Sequence, residues 1–567
     1  MTVIAENQPT TGLLLPPPSL PKNPYERFYP KNWPLVPFHQ GEIDLQRQAG
    51  VHEKVMSYAP RVIRPYLPEQ HVDFYEHQPL VVAAARDQTG SLWATFLMKD
   101  VGFISSPDPT SPHINARPVV GDALEGAFEV GADVGLLGIE LATRRRNRVN
   151  GRVAATGEGI VFSVDQSFGN CPQYIKPRDW WSAASVETKP PLRSDVLSDD
   201  QIQRIRQAET VFIASGYRGE GEDVRYGNDV SHRGGVPGFL MVRGNRTIVL
   251  PEFPGNNHFN SLGNLVMDRR MGLTIPSFED GGLLQLSGWA DVDMDLKNAE
   301  NTYPGALRLI TFHVEQVNEL QSGSLPLRWR APKSSASRQL EVFKIVQETE
   351  DVKSFHMRPL EGELWPYDAG QHLPIQVSAT TERTYSLSGD PGDTSEYRIS
   401  VKRVPFGKAS NHLHDHIQVG DKLNVSRPAG DFVVQPSNKT LVLVSAGIGI
   451  TPMLSMLFDF VATDEHREVV WVHGARDEAH YQLRSDVEGL QRKLSGRMQS
   501  HIVYSRPGPH DSGFDSVGRV DTTLLQKLVD VENSDFYMCG PSPMMASLEE
   551  GLLLNGARTS SVHFETF

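Results

Sequence analysis

The stretch KTLVLVSAGIGITPMLSMLFDFVA, Lys439 to Ala462, runs a strand of buried character into a glycine turn and then into an amphipathic helix. The same strand-then-helix grammar returns in EVVWVHGARD, QSHIVYSRP and SDFYMCGPSPMMASLEEGLLL. Parallel strands need crossover helices that cover both sheet faces, so this part of the chain is confined to an α/β architecture with a parallel sheet. Within the turn, Gly447 and Gly449 let the backbone approach a ligand with no Cβ in the way. Thr451 is expected to cap the helix, and Pro452 suits its first turn. The N-terminus of such a helix attracts a pyrophosphate. A turn of purely structural use is the other reading of these residues.

The remaining chain is long and of mixed texture. At 567 residues the prior is roughly four domains. Lys and Arg number 55 against 69 Asp and Glu, a net charge of −14 that argues against a general nucleic-acid binder or a basic membrane-surface protein. The only cysteines, Cys171 and Cys539, exclude a disulfide framework, a four-thiolate iron–sulfur cluster and a four-cysteine zinc site. The first residues lack the pattern of a signal peptide, and no apolar run is long enough to span a bilayer. A reduced, cytoplasmic, multidomain protein is expected.

Residues 1–40 hold nine prolines and read as a Pro-rich arm in polyproline or disordered conformation. From Leu80, short apolar or alternating runs such as LVVAAARD and LWATFLMK have the texture of an antiparallel barrel. That texture recurs after residue 190, and two glycine pairs mark the recurrence: Gly135 with Gly272 and Gly151 with Gly288 are each separated by 137 positions (272 − 135, 288 − 151). A duplicated barrel follows. The expected layout is barrel 1 at 41–190, barrel 2 at 191–328, a small polar linker at 329–338, an antiparallel β-barrel at 339–436 and a parallel-sheet α/β domain at 437–567.

In the last third, Arg383-Thr384-Tyr385-Ser386, Gly407-x-x-Ser410, the Gly447–Pro452 turn and Cys539-Gly540-Pro541 occur in an order and spacing that resemble the ferredoxin–NADP reductase superfamily. The segments SNHLHDH, RPAGDFVV, SAGIGITPM and FYMCGP are similar to the reductase half of flavohaemoglobins, from about Arg338 to Phe567. The resemblance implies FAD and NAD(P)H as cofactors. Arg383 would pair with the flavin pyrophosphate. Thr384 belongs to the same motif, Tyr385 would stack on the isoalloxazine, and Ser386 would reach its N5. Gly407 and Ser410 would bind phosphate. Gly447, Gly449, Thr451 and Pro452 would hold the nicotinamide nucleotide, with Cys539, Gly540 and Pro541 near its reactive carbon. Glu565 and Phe567 match the family's C-terminal acid and aromatic. Ser386, Cys539 and Glu565 are thus the implied catalytic residues. His372 stands where the family often has Tyr. No metal is implied, although His412, His414 and His416 alternate; Arg476 and Arg506, each following a strand, leave NADH and NADPH equally open.

The first half resembles the flavin-nucleotide-binding split barrels related to pyridoxamine 5′-phosphate oxidase, through FHQGE, GLLGIELATRRRNRVNGRV, SFGNCPQYI, DVSHRGGVPGF and LPEFPGNNHFNSLGNL. That resemblance implies FMN. The residues themselves offer an anion site: Ser231, His232, Arg233 and Gly234 read as a polar turn, and Asn256, Asn257, Asn260 and Ser261 as the approach to a helix N-terminus. Arg144, Arg145, Arg146, Arg148 and Arg152 form the densest basic stretch, read either as a phosphate partner or as an Arg-blunted strand edge.

The expected function is an NAD(P)H-dependent flavin oxidoreductase that passes hydride to FAD and electrons to an FMN-binding split-barrel half or to an unidentified acceptor. The two barrels would form an internal pseudo-dimer within a monomer, or the chain would be a homodimer. Two rivals are a haem or tetrapyrrole in the barrels, and barrels that serve only as a binding module while the reductase feeds a separate acceptor protein.

Overall fold

In the computed structural model, the described residues between 80 and 320 build two antiparallel sheets of one design. Residues 26–169, 173–183, 186, 189–330, 337–378, 381–404, 407–463, 466–494 and 496–566 are described. Strands β1 (Leu80–Arg86), β2 (Leu92–Met98), β3 (Ile104–Ser105), β4 (His113–Ile114), β5 (Asp133–Glu140), β6 (Arg145–Thr156) and β7 (Ile160–Gly169) run in the order β2-β1-β5-β6-β7-β4-β3. Two short strands follow, β8 (Asp179–Ser182) and β9 (Leu192–Ser194). Then β10 (Thr210–Tyr217), β11 (Gly227–Gly234), β12 (Met241–Arg243), β13 (Thr247–Glu252), β14 (Arg270–Ser277), β15 (Gly282–Asp293) and β16 (Arg308–Leu320) take the order β11-β10-β14-β15-β16-β13-β12. Strand for strand, the second order is the first.

The glycine pairs have physical reasons. Gly151 and Gly288 each sit at a β-bulge, where the register slips against β7 and β16 respectively. A Cβ there would land on the Ser163 or His313 carbonyl, so neither position admits a side chain. Gly135 and Gly272 serve the contact between sheets. A Cβ on Gly135 would meet the backbone of Asn228 in β11, and one on Gly272 the backbone of Leu92 in β2. Because β2 and β11 are counterparts, each sheet receives the other at the same place, as a twofold axis would require. The apolar layer between them includes Val82, Phe96, Leu137, Phe212 and Val230.

The expected boundaries shift where chain segments cross over. Helix Gln40–Gln48 falls in the range assigned to the first barrel, yet its Leu45 packs in the core of the second sheet. Its Gly41 lies so close to Gly263 of helix Asn260–Met267 that a Cβ would collide with the Gly263 carbonyl. Strand β9 pairs with β16, and β8 pairs with β17 (Leu327–Arg330). Trp329 and Arg330, expected in the linker, are therefore sheet residues; Trp329 is buried. The linker's middle, 331–336, and residues 1–25 of the Pro-rich arm lie outside the described residues.

The last third forms two further sheets. Strands β18 (Arg338–Thr349), β19 (Val352–Pro359), β20 (His372–Ser378), β21 (Thr381–Ser386), β22 (Tyr397–Lys402) and β23 (Lys422–Val425) are antiparallel, ordered β21-β20-β23-β18-β19-β22. Strands β24 (Thr440–Ala446), β25 (Val469–Ala475), β26 (Met498–Tyr504), β27 (Ser516–Val517), β28 (Ser534–Gly540) and β29 (Val562–Thr566) are parallel, ordered β27-β26-β25-β24-β28-β29. Alternate residues feed two cores. Leu441, Leu443 and Trp471 meet helix Ile450–Ala462 on one face, while Val442, Val444 and Val472 meet Leu548 and Leu552 of helix Ser542–Leu554 on the other. No helix among the described residues is long and apolar enough to cross a membrane.

Candidate active site

Strand order in the parallel sheet reverses between β24 and β28, and a crevice opens at the carboxyl ends of strands at such a point. Gly447, at φ 53°, stands there with open space where a Cβ would be. Its carbonyl accepts from the side-chain amide of Gln482. Gly449 has a different use from the one expected: a Cβ on it would land on the Cys539 carbonyl, so its bareness lets the turn lie on β28. Thr451 does not cap the helix. The helix begins at Ile450, and the Thr451 hydroxyl donates to the Ile448 carbonyl at 3.0 Å; Pro452 follows as the third helical residue. On the neighbouring strand Gly540 closes β28, and Pro541 stands at the N-cap of the helix Ser542–Leu554.

Sequence reasoning missed a polar group beside this turn. His473 hydrogen-bonds Ser445 Oγ through Nδ1 at 2.8 Å and stacks on Tyr481 with ring centroids 4.8 Å apart. Burial holds the His473 ring neutral, with its pKa near 3, and its Nε2 has no partner among the described residues. The position of His473 near the end of a buried strand, in VHGA, was the available signal. Arg476 and Arg506 are exposed beyond the ends of β25 and β26, joined by a backbone hydrogen bond of 2.8 Å.

The β20–β21 hairpin sets His372 opposite Ser386. Ser386 is only 4% exposed and its Oγ has no partner among the described residues. Tyr385 is half-buried, its hydroxyl pushed up to about 12 by burial; Thr384 is half-buried and Arg383 exposed. Gly407 is the N-cap of helix Lys408–His416, and Ser410 lies inside that helix rather than opening it. Its Oγ accepts from the Val404 N–H at 3.2 Å and donates to the Gly407 carbonyl at 3.3 Å, tying down the turn. In the same helix His414 bonds the Val401 carbonyl, and His412 packs on His416. Among the described residues no group of His, Cys, Asp and Glu is arranged to hold a metal.

Glu565 in β29 lies in register with Cys539 in β28. Burial pushes Glu565 up to about 7, with Arg144 pulling the other way. Its Oε1 stands 4.0 Å from His372 Nδ1, and its Oε2 has no partner among the described residues. The Cys539 thiol departs from the expected catalytic role. It is 0% exposed in the core under helix Ile450–Ala462, and burial, with Glu565 adding, holds it well above its ordinary pKa. What Cys539 offers the crevice is backbone. Phe567 lies outside the described residues. The unsatisfied Ser386 Oγ and Glu565 Oε2 suit the heteroatom edge of a flavin ring, so the donor set fits the group.

A second site lies between the two N-terminal sheets. A cavity of about 100 Å³ is lined by Ser231, His232, Arg233, Gly234, Asn256, Asn257, Asn260 and Ser261, together with Arg146, Arg148, Tyr174 and Arg308. The local structure differs from expectation. Ser231–Gly234 is part of strand β11 rather than a turn, and Asn260 and Ser261 are the first residues of their helix. Asn257 and Phe259 bend the chain into that helix at φ 61° and 64°. The basic stretch is no sheet edge, because β6 lies between β5 and β7. Arg148 is buried and donates to Asp229 at 3.1 Å, to Asn260 at 3.0 Å and to Ser231. Arg233 pairs with Glu252 at 2.8 Å. Arg152 instead joins Glu222, Asp133 and Asp165, away from the cavity. His232 is buried, held neutral by desolvation, with Nε2 unpartnered among the described residues.

The repeat supplies a control for this cavity. Pairing through Val82–Leu137 and Phe212–Thr274 makes Phe96 the counterpart of His232, and Thr95 that of Ser231. The 137-residue offset between β5–β6 and β14–β15 (270 − 133) makes Leu283 the counterpart of Arg146 and Gln285 that of Arg148. At the mate position Gln285 is fully buried, bonding Ala94 and Asp122, and Leu283 and Phe96 fill the space. One interface niche is arginine-lined and open, while the other holds Gln285 and the buried Asp122 carboxyl among packed apolar side chains.

Comparison with known proteins bears on the last third. Residues 339–434 match the oxidoreductase FAD-binding domain and residues 443–550 the oxidoreductase NAD-binding domain. The last third is thus an FAD- and NAD-binding reductase module of ferredoxin-reductase type, and it is an NAD(P)H-dependent flavin oxidoreductase. More particularly, it is similar to flavohemoproteins: that of Bacillus thuringiensis subsp. konkukian is 36% identical over 245 residues, covering 41% of this chain and 60% of the relative. The Bacillus subtilis flavohemoprotein is 35% identical over 236 residues, with 40% and 58% covered. A solved flavohem-like FAD/NAD-binding domain of nitric oxide dioxygenase from Vibrio cholerae is 28% identical, covering 41% of this chain and 98% of that one at a TM-score of 0.38. The chain spans about three-fifths of the length of these curated flavohemoproteins.

Proposed function

We propose that this protein draws electrons from NAD(P)H through FAD in its last third and delivers them to FMN held between its two N-terminal split barrels. FAD, when bound, would supply the chemistry that takes up a hydride from the nicotinamide and passes electrons on to the barrel ligand. The chain's own residues hold and order the reactants. The Gly447 turn and the end of β28 receive the dinucleotide, Ser386 and Glu565 face the ring edge, and the sheets exclude water around them. At the barrel interface Arg146, Arg308 and His232 Nε2 face an anion, while Arg148, neutralised by Asp229, forms the wall.

The observation that carries this reading is the turn between β5 and β6. Its Arg144 bonds His372 in the reductase, and two residues on its Arg146 lines the barrel cavity. The packed mate niche supports one ligand per chain, with the chain as its own pseudo-dimer.

Release and quantification of bound flavin tests the proposal. One FAD and one FMN per chain are expected. A Soret band would put a tetrapyrrole in the barrels, and FAD alone would leave them as a docking module for a separate acceptor.

A further inference from the structure

Arg144 stands in a left-handed backbone conformation, φ 61°, which L side chains other than Asn and Asp seldom adopt. The repeat shows what this turn prefers. The β5–β6 turn maps onto the β14–β15 turn, where the counterpart of Arg144 is Gly281 at φ 73°. Glycine suits that conformation without steric cost, so the arginine in the first copy is not explained by the turn.

Its surroundings explain it. The Arg144 guanidinium donates from Nη2 to His372 Nε2 at 2.9 Å. An arginine has no acceptor, so this bond fixes the ring with Nε2 bare and the proton on Nδ1. That N–H then faces Glu565 Oε1, 4.0 Å away. The groups around Glu565 come from three further elements: Arg144 from the first barrel, His372 from β20 and Cys539 from β28. Glu382 in β21 is the other acid that acts on Arg144.

Resting on the FAD reading above, we propose that Arg144 is a positioning residue of the reductase site supplied by the first barrel, locking the His372 ring and setting a half-buried positive charge near Glu565 beside the flavin. The reductase site is then complete only when the first barrel is docked on it.

The test uses the full-length holoprotein and three substitutions. Arg144→Gly installs the residue that the second copy carries, so the turn keeps its conformation; Arg144→Lys keeps the charge; Glu565→Gln removes the titrating group. Bound FAD is first measured by absorbance. The pH dependence of the oxidised flavin's visible spectrum is then followed with no nicotinamide present. A midpoint that Glu565→Gln abolishes is expected in the unsubstituted protein. Arg144→Gly should raise it by a measurable fraction of a pH unit, because the Arg144 charge favours the ionised form of Glu565 and its removal does not. Arg144→Lys should restore most of the shift.

A midpoint unmoved by Arg144→Gly, or no Glu565-dependent midpoint at all, overturns the inference, even if melting temperature falls. Protein that binds no FAD in any form overturns instead the cofactor reading on which it rests.

Discussion

The reductase third places its candidate site where strand order reverses within one sheet, whereas the N-terminal half places its site between two copies of a sheet. In the first case backbone shapes the crevice: Gly447 leaves it open, and Gly449 lets the turn lie on β28. In the second, side chains shape it, and they bring a buried network of Arg148, Asp229, Asn260 and Glu42. A backbone-built site tolerates loss of one side chain at the expense of rate. A charge-built site loses stability.

Substitutions in the full-length protein can break or sharpen that contrast. The largest effect is expected for Arg148→Ala, which removes the cation paired with the buried Asp229 carboxylate and leaves it only the Asn150 and Asn264 amides, at a cost of about 3–5 kcal/mol. Calorimetry should show the N-terminal transition falling steeply while NAD(P)H still bleaches the FAD. Loss of both together would erase the distinction between the halves. Next is Ser386→Ala. It should slow flavin reduction on the order of 10²-fold in stopped-flow absorbance, as removal of a preorganised donor does, with the melting profile unchanged.

Gly449→Ala comes third. Its Cβ collides with the Cys539 carbonyl, and such overpacking costs about 1–3 kcal/mol. The nucleotide KM should rise while FAD content holds; loss of FAD with an unchanged KM would reverse the two placements.

The smallest effect is a gain. His258 is buried amid Phe38, Tyr58 and Phe168, and neither ring nitrogen has a partner among the described residues. Burial lowers its pKa to about 3, so the folded state keeps it neutral while the unfolded chain takes up a proton below about 6.5. Its contribution to stability is therefore whole above pH 6.5 and is lost progressively as pH falls toward 3. His258→Phe should stabilise the N-terminal half by roughly 1 kcal/mol at pH 7 and more at pH 5. A wild-type melting curve no steeper in acid than the variant's would refute this.

The same contrast decides what could be read from the sequence. The parallel sheet was legible because strand, turn and helix lie in one continuous segment, as in Lys439–Ala462. The repeat was legible from Gly135, Gly151, Gly272 and Gly288, although their reasons, two bulges and two inter-sheet contacts, appear only when strands pair. The eight residues expected at the N-terminal site were singled out in two clusters about 25 positions apart, yet they line one cavity between the sheets. Their local conformation was misjudged because SHRGG has turn composition, and pairing with β10 overrides it. Thr451 and Cys539 were assigned from motif position, while a two-residue difference in helix start and complete burial gave them other work. Arg144 and His473 owe their places to residues 228 and 28 positions distant, which no local pattern reveals.

The packed niche around Gln285 has a consequence for the symmetry of the two sheets. In a symmetric homodimer every substitution appears twice, so one niche cannot be sealed while its twin stays open. With both copies on one strand of peptide, each was free to drift apart from the other. The outcome is an asymmetric pair of sheets, with an open cavity on the side of Arg146 and His232 and packed side chains on the side of Gln285.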